Sequence, residues 1–242
     1  MSRIYSDPLE IDEQSVRSFY DLRASRFDEL GNRAVLLGDH CPEIAEKIDR
    51  FETETILPML LEERVGNVLD LGCGVGRWAQ KLLPYAESYR GVDLSEQMVH
   101  QAERTCAKWA DKAEFFAMSA EAAADKSADF YGKAAPFDTV LVSEVCMYIN
   151  DATLESFYPK LIGLLAPNCR IYHADTVALR QRLTLSEHYS DALKASYSVI
   201  YRPAADLKEL WGRLKLNISD SGYFPGTDTG AETARWYAIL KK

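Results

Sequence analysis

The chain has 242 residues, of which 47% are hydrophobic and 27% charged, with a formal net charge of −9. That length suits one sheet-based domain with additions, and the apolar share is enough for a real core. The acidic balance argues against general nucleic-acid or membrane-surface binding, both of which need basic patches.

Residues 1–63 are expected to form an amino-terminal helical cap. Ser15 to Leu30 carries Val16, Phe19, Tyr20, Leu22, Phe27 and Leu30 at roughly helical spacing. Gly31 to Cys41 reads as a loop. Pro42 fits the first turn of a second helix through about Leu61, which Pro58 kinks or ends early.

From Val65 the pattern alternates, and residues 64–242 are assigned to one α/β domain. Strands are predicted at 66–71, 88–93, 113–118, 137–143 and 168–175. Helices are predicted at about 76–86, 95–109, 120–128 and 151–165, with Ser95 as an N-cap. Short apolar strands alternating with helices imply a parallel, doubly wound sheet. Residues 176–202 break the rhythm and read as a lid after strand five, with Tyr197 to Tyr201 a candidate strand. A helix follows from Pro203. Strands near 214–219 and 234–240, joined by a glycine-rich loop at 221–230, close the chain as an antiparallel hairpin. The expected fold is Rossmann-like, with seven strands in its sheet.

The five cysteines, Cys41, Cys73, Cys106, Cys146 and Cys169, are odd in number and form no C-x-x-C pair. They fit reduced thiols. No apolar run approaches the ~18 residues of a membrane span, and the first residues lack a signal-peptide core. The expected location is cytoplasmic.

The segment V-L-D-L-G-C-G-V-G-R (68–77) is a buried strand running into a glycine turn and then a helix. Glycine tolerates positive φ and has no Cβ, so a nucleotide-like ligand can press on bare backbone there. Asp93 lies 17 residues past Gly76, close to the ~20 at which an acidic residue reaches ribose hydroxyls. A dinucleotide fingerprint needs glycine at position 77, where Arg77 stands. No phosphate-binding loop of the G-x-x-x-x-G-K type is present.

On these segments the chain resembles the class I S-adenosylmethionine-dependent methyltransferases. D-L-G-C-G-V-G (70–76) matches their first motif and G-V-D-L-S-E-Q-M (91–98) their second. F-D-T-V-L-V-S-E-V-C-M-Y-I (137–149) resembles their fourth-strand motif, and Y-D-L-R-A-S-R-F (20–27) an amino-terminal element of small-molecule members. The resemblance implies S-adenosylmethionine as cofactor. It implies that Gly72, Cys73, Gly74 and Gly76 flank the methionine and ribose portions. Asp70 would hold the turn and help orient the ligand ammonium. Asp93 would accept from both ribose hydroxyls, and Leu94 and Met98 would pack on adenine. Ser119 and Ala120 stand where the family often has an aspartate on the adenine amino group. The Ser143 carbonyl would face the methionine amino group, and Tyr20 and Arg26 would close over the carboxylate.

Methyl transfer from a sulfonium leaves the protein to align the acceptor, exclude water and, where needed, remove a proton. His173 and Asp175 at the end of strand five, and Tyr148 after strand four, are the base candidates. His40, Glu144 and His188 are candidate pocket walls. Arg180, Arg182 and Arg202 could meet phosphate or carboxylate. No H-x-x-x-H or D-x-D spacing organises a metal site, so none is expected. A looser likeness of the amino-terminal stretch and of Y-R-P (201–203) to enzymes of bacterial polysaccharide and secondary-metabolite pathways favours oxygen of a sugar, sugar nucleotide or natural-product intermediate, ahead of nitrogen. No nucleic-acid or membrane partner is expected, and oligomeric state stays open. The rivals are a nicotinamide-dependent oxidoreductase and a non-catalytic protein that keeps the cofactor pocket.

Overall fold

The computed structural model describes residues 2–37, 41–227 and 232–242. After β1 (Ser2–Tyr5), the cap consists of α1 (Glu13–Ala24), α2 (Phe27–Leu30), α3 (Arg33–Leu36), α4 (Pro42–Phe51) and α5 (Leu57–Leu61). Asp12 caps α1 by accepting the Ser15 N–H at 2.8 Å. The expected loop after Gly31 contains α3, because Arg23 reaches back and donates to the carbonyls of Arg33 and Ala34. The bonds that hold this turn come from a distant arginine, which local sequence does not reveal.

Pro58 does not end the second cap helix. A π-helical turn, Glu52–Ile56, joins α4 to α5 just ahead of it. Proline has no N–H to donate and crowds the carbonyl four residues back, and a widened turn relieves both.

The domain then runs β2 (Asn67–Leu71), α6 (Arg77–Leu82), β3 (Ser88–Asp93), α7 (Glu96–Thr105), β4 (Ala113–Ala117), α8 (Ala120–Ala124), α9 (Ala128–Tyr131), β5 (Phe137–Ser143), α10 (Asp151–Ile162) and β6 (Leu165–Ala178). It continues through β7 (Leu183–Ser190), β8 (Ala195–Tyr201), α11 (Ala204–Arg213), β9 (Asn217–Tyr223) and β10 (Thr233–Lys241). Seven strands form one sheet in the order β4-β3-β2-β5-β6-β10-β9. The first five of these neighbours pair in parallel, and β10 pairs antiparallel with both β6 and β9. This is the doubly wound sheet with a closing antiparallel hairpin that the sequence predicts.

The lid does not take the expected form. β6 runs on to Ala178, and β7 and β8 then fold as a hairpin. With β1 they make a second, three-stranded antiparallel sheet, order β1-β7-β8. Ile200 packs there with Ile11 and Val16 of the cap, so this sheet backs α1.

Side chains on successive strand residues face opposite ways. On one face Val140, Val142, Ile171, Trp236 and Ala238 pack against α10 and α11. On the other Leu141, Tyr172, Ala174, Tyr237 and Ile239 pack against Ile48, Ile56, Leu60, Trp78 and Leu82. Cap and sheet thus share one core on this second face. At its upper edge sits Glu52, fully buried. Its carboxylate accepts from Arg77 and, at 2.8 Å, from the Tyr172 hydroxyl, with Arg235 at 3.6 Å. Asp49 takes a second bond from Arg77 at 3.0 Å and pairs with Lys81 at 3.0 Å.

Removing one partner of such a group leaves a buried charge uncompensated, at a cost of about 3–5 kcal/mol. Glu52→Ala is therefore expected to lower unfolding stability by about that amount in urea titrations, and Glu52→Gln by less. An unchanged midpoint for Glu52→Ala would contradict this account of the cap.

Candidate active site

A cleft with about 930 Å³ of free space, open to solvent at its mouth, lies above the carboxyl ends of β2, β3 and β5. Ligands bind at this edge of open α/β sheets. The strand–turn–helix from β2 to α6 forms its floor. Gly72, Gly74 and Gly76 all have positive φ, at 80°, 52° and 81°. The N–H groups of Gly72 and Cys73 donate to the Val92 carbonyl at 2.8 and 2.9 Å, pinning the turn to β3. A Cβ on Gly72 would run into the Val145 side chain, and one on Gly74 would lie 2.6 Å from Val35 of α3. The turn is bare because its neighbours close over it.

Asp93 ends β3 at the wall of the cleft. Its two oxygens accept from the Gly74 and Ser95 N–H groups, each at 2.9 Å. Burial raises its pKa to about 6, against those two hydrogen bonds. Each oxygen keeps acceptor capacity for a ligand hydroxyl. Leu94, Ser119 and Ala120 line the same end. Ser119 also caps α8, accepting the Ala122 N–H at 3.2 Å.

At the other end β5 delivers Ser143, Glu144 and Val145. Glu144 holds the left-handed φ of 58°, which costs a non-glycine residue energy, and its N–H donates to the Ala174 carbonyl at 2.6 Å. Its pKa is raised by burial, partly offset by Arg235. Tyr20 from α1 donates to the Tyr148 hydroxyl at 2.9 Å. Burial pushes both phenols up, so they stay protonated.

Several residues expected at the site stand elsewhere. His173 is fully buried on the opposite sheet face, its ring 4.9 Å from that of Trp211. Its Nδ1 is 3.2 Å from the Tyr158 hydroxyl and its Nε2 3.3 Å from Asp175. Burial lowers the His173 pKa to about 3 and raises that of Asp175. Strand alternation explains the placement: Tyr172 and Ala174 face the cap, so His173 and Asp175 face α11. Together with Cys146 they place ligand-type atoms within 4.8 Å of one another, inside the core rather than in the cleft.

Asp70 lies beneath the turn and accepts from the Tyr89 hydroxyl, with burial raising its pKa to about 7. Met98 is wholly buried among Ala24, Leu30, Ala34 and Val75, and is core. Gly76 caps α6 against Cys106 and Ala102, below the cleft. Arg26 pairs with Glu29 at 2.7 and 3.0 Å. Arg180 is exposed outside the cleft. Arg182 and Arg202 converge on Asp151, and Arg202 also donates to the carbonyls of Cys146 and Ile149. Burial pushes the Asp151 carboxyl up, but the two arginines prevail and hold it below its ordinary range. These arginines brace the turn that carries Tyr148. His188 stacks edge-on against Tyr197 in the second sheet. His40 lies outside the described residues.

Other cleft residues went unassigned in the sequence. Glu13 and Val16 share one face of α1 with Tyr20, a helical spacing that was available to read. Glu121, Arg77 and Trp78 follow directly on the motifs. Arg235, on the last strand, had no local signal. It is 5% exposed, lies 3.0 Å from Glu144, and lines the cleft.

Comparison with known proteins agrees with this geometry. A family described as methyltransferase domain matches residues 69–171. An uncharacterized methyltransferase of Schizosaccharomyces pombe is 29% identical over 122 residues, 46% of this chain. The match spans only 39% of that relative's length. Among solved structures, a Burkholderia thailandensis 1,6-didemethyltoxoflavin-N1-methyltransferase superposes with a TM-score of 0.66 at 16% identity, covering 99% of this chain and 95% of the other. Magnesium protoporphyrin IX methyltransferase from Synechocystis PCC 6803 gives 0.64 at 18% identity, covering 96% and 99%. Over residues 69–171 the chain is thus similar to the methyltransferase-domain family, and its sheet topology is the fold of these solved methyltransferases.

Proposed function

We propose that the chain binds S-adenosylmethionine in this cleft and transfers its methyl group to a nucleophilic oxygen or nitrogen of a small molecule. The observation that carries this reading is Asp93. A half-buried carboxylate is fastened to the glycine turn at 2.9 Å, on the wall of the cleft, where ribose hydroxyls would need an acceptor. The two solved proteins named above hold S-adenosylmethionine or S-adenosylhomocysteine, which supports the same cofactor here.

The cofactor brings its own electrophile, an activated methyl on a sulfonium. The chain's residues have to align and enclose. Leu94, Ser119 and Ala120 form the slot for a flat ring at one end. Val16, Tyr20, Tyr148 and Ile149 wall the other end, where an acceptor would enter. Alignment of this kind is worth up to ~7–11 kcal/mol of barrier. The hydrogen-bonded Tyr20 and Tyr148 hydroxyls orient an acceptor. Because both stay protonated, neither is a proton acceptor at neutral pH. His173 and Asp175 are sealed in the core, so the base role expected of them from sequence is withdrawn. The expectation of a sugar or sugar nucleotide came from a loose likeness of the amino-terminal stretch and of Y-R-P (201–203), and Arg180, Arg182 and Arg202, the residues that could meet its phosphate or carboxylate, do not line the cleft. The acceptor is therefore proposed only as a small molecule.

Calorimetric titration separates this reading from the oxidoreductase. S-adenosylhomocysteine is expected to bind and NAD not to. Asp93→Ala is expected to weaken S-adenosylhomocysteine by about tenfold or more, the loss of charge-assisted hydrogen bonds. Binding of NAD with none of S-adenosylhomocysteine would overturn the proposal.

The pH dependence has a defined sign. Ribose hydroxyls donate, so they prefer ionised Asp93, which in the free protein gains its proton near pH 6. Affinity should be level above pH 7 and fall by up to about tenfold per unit as pH drops below 6. Asp93→Asn should flatten that fall, and an equal fall in both proteins would assign it to another group.

A further inference from the structure

The cofactor proposed above ends in a zwitterion, an α-carboxylate beside an α-ammonium. Inside a cleft each charge needs a partner. The sequence resemblance assigned the carboxylate to Tyr20 and Arg26, but Arg26 is bonded to Glu29 and does not line the cleft. Arg23, the other cap arginine nearby, donates to the backbone of Arg33 and Ala34. Among the described residues the cations that line the cleft are Arg77 and Arg235. Arg77 already holds Asp49 and Glu52 at hydrogen-bond range.

Arg235 is different. It is 5% exposed, its Nε and Nη2 are buried without a hydrogen bond, and Nη2 reaches Glu52 Oε1 only at 3.6 Å, an ion-pair distance beyond hydrogen-bond range. Its Nη1 lies 3.0 Å from Glu144 Oε1, yet that oxygen also lacks an aligned hydrogen bond. The distance suits an ion pair, while donors and acceptor point elsewhere. A buried guanidinium with idle donors is costly unless a ligand completes it. Glu144 directly follows Ser143, whose carbonyl oxygen lies 3.7 Å from the point a Gly72 Cβ would occupy. The idle pair therefore sits beside the glycine turn and the Ser143 carbonyl.

We infer that Arg235 and Glu144 together bind the amino-acid end of the cofactor, Arg235 taking the carboxylate and Glu144 the ammonium. The pair presents donors beside an acceptor, and an α-amino acid end presents the complement. This rests on the cofactor reading above. An acceptor that is itself an α-amino acid has the same chemistry, and the experiment separates the two sources.

The probes are S-adenosylhomocysteine and 5′-methylthioadenosine, which keeps the nucleoside but lacks the amino-acid end. Both are titrated calorimetrically into the wild-type chain, Arg235→Gln, Arg235→Lys and Glu144→Gln. Arg235→Gln is expected to weaken S-adenosylhomocysteine by about tenfold or more and leave 5′-methylthioadenosine unchanged. Arg235→Lys should keep part of the difference. Glu144→Gln should show a smaller, equally selective loss, which keeps the test alive if Arg235→Gln does not fold. Unchanged S-adenosylhomocysteine affinity in both Arg235 variants would overturn the inference and hand the pair to the acceptor. An equal loss for both probes would also overturn it, as a merely structural effect. A wild-type chain that binds neither probe would instead defeat the cofactor reading itself.

Discussion

One buried carboxylate, Glu52, joins the cap to the seven-stranded sheet through the core they share. Removing such a charge from water costs several kcal/mol, and only close, hydrogen-bonded partners offset it. Here the hydrogen bonds come from Arg77 at the start of α6 and Tyr172 on β6, and Arg235 on β10 adds a longer ion pair at 3.6 Å. The π turn places Glu52 where all three converge. The chain of alternating charge continues outward through Asp49 to Lys81 and inward through Arg235 to Glu144 at the cleft. The back of the site is thus built from ion pairs that also join its elements.

The front is built from absences. Three glycines with positive φ turn β2 into α6, and Val145, Val35 and the Ala102–Cys106 turn occupy the space that side chains on Gly72, Gly74 and Gly76 would need. Asp93 then fixes that turn from the next strand. Cap helix α1 covers the result and is itself tied to the start of α7, since the Ser95 hydroxyl donates to Asp21. A rigid floor under a cap that shares its core suits a site that must align two molecules with little slack.

Much of this was legible in the sequence, for physical reasons. Buried parallel strands are short continuous apolar runs, so β2, β3 and β5 stand out, and a glycine turn followed by an acidic strand end has few other uses. What was not legible has reasons as well. The face of β6 is set by its pairing with β5 and β10, so nothing local told that His173 would turn to Trp211 and Tyr172 to Glu52. The strands β7 and β8 are polar on one side and joined without an Asn-Gly signal, so they read as a lid. Arg182 and Arg202 looked like anion binders because the acid that neutralises them, Asp151, lies 31 and 51 residues away. Arg235 was silent because its partners all lie on other elements.

The cleft over the glycine turn is proposed as a cofactor site, read by Asp93 at one end and by the Ser143–Arg235 side at the other. A crystal structure of the chain grown with S-adenosylhomocysteine tests it most directly. The account predicts ribose hydroxyls on Asp93, the adenine between Leu94 and Ala120, and the amino-acid end against Ser143. A ligand bound outside this cleft, or within it with Asp93 making no contact to the ribose, would contradict it.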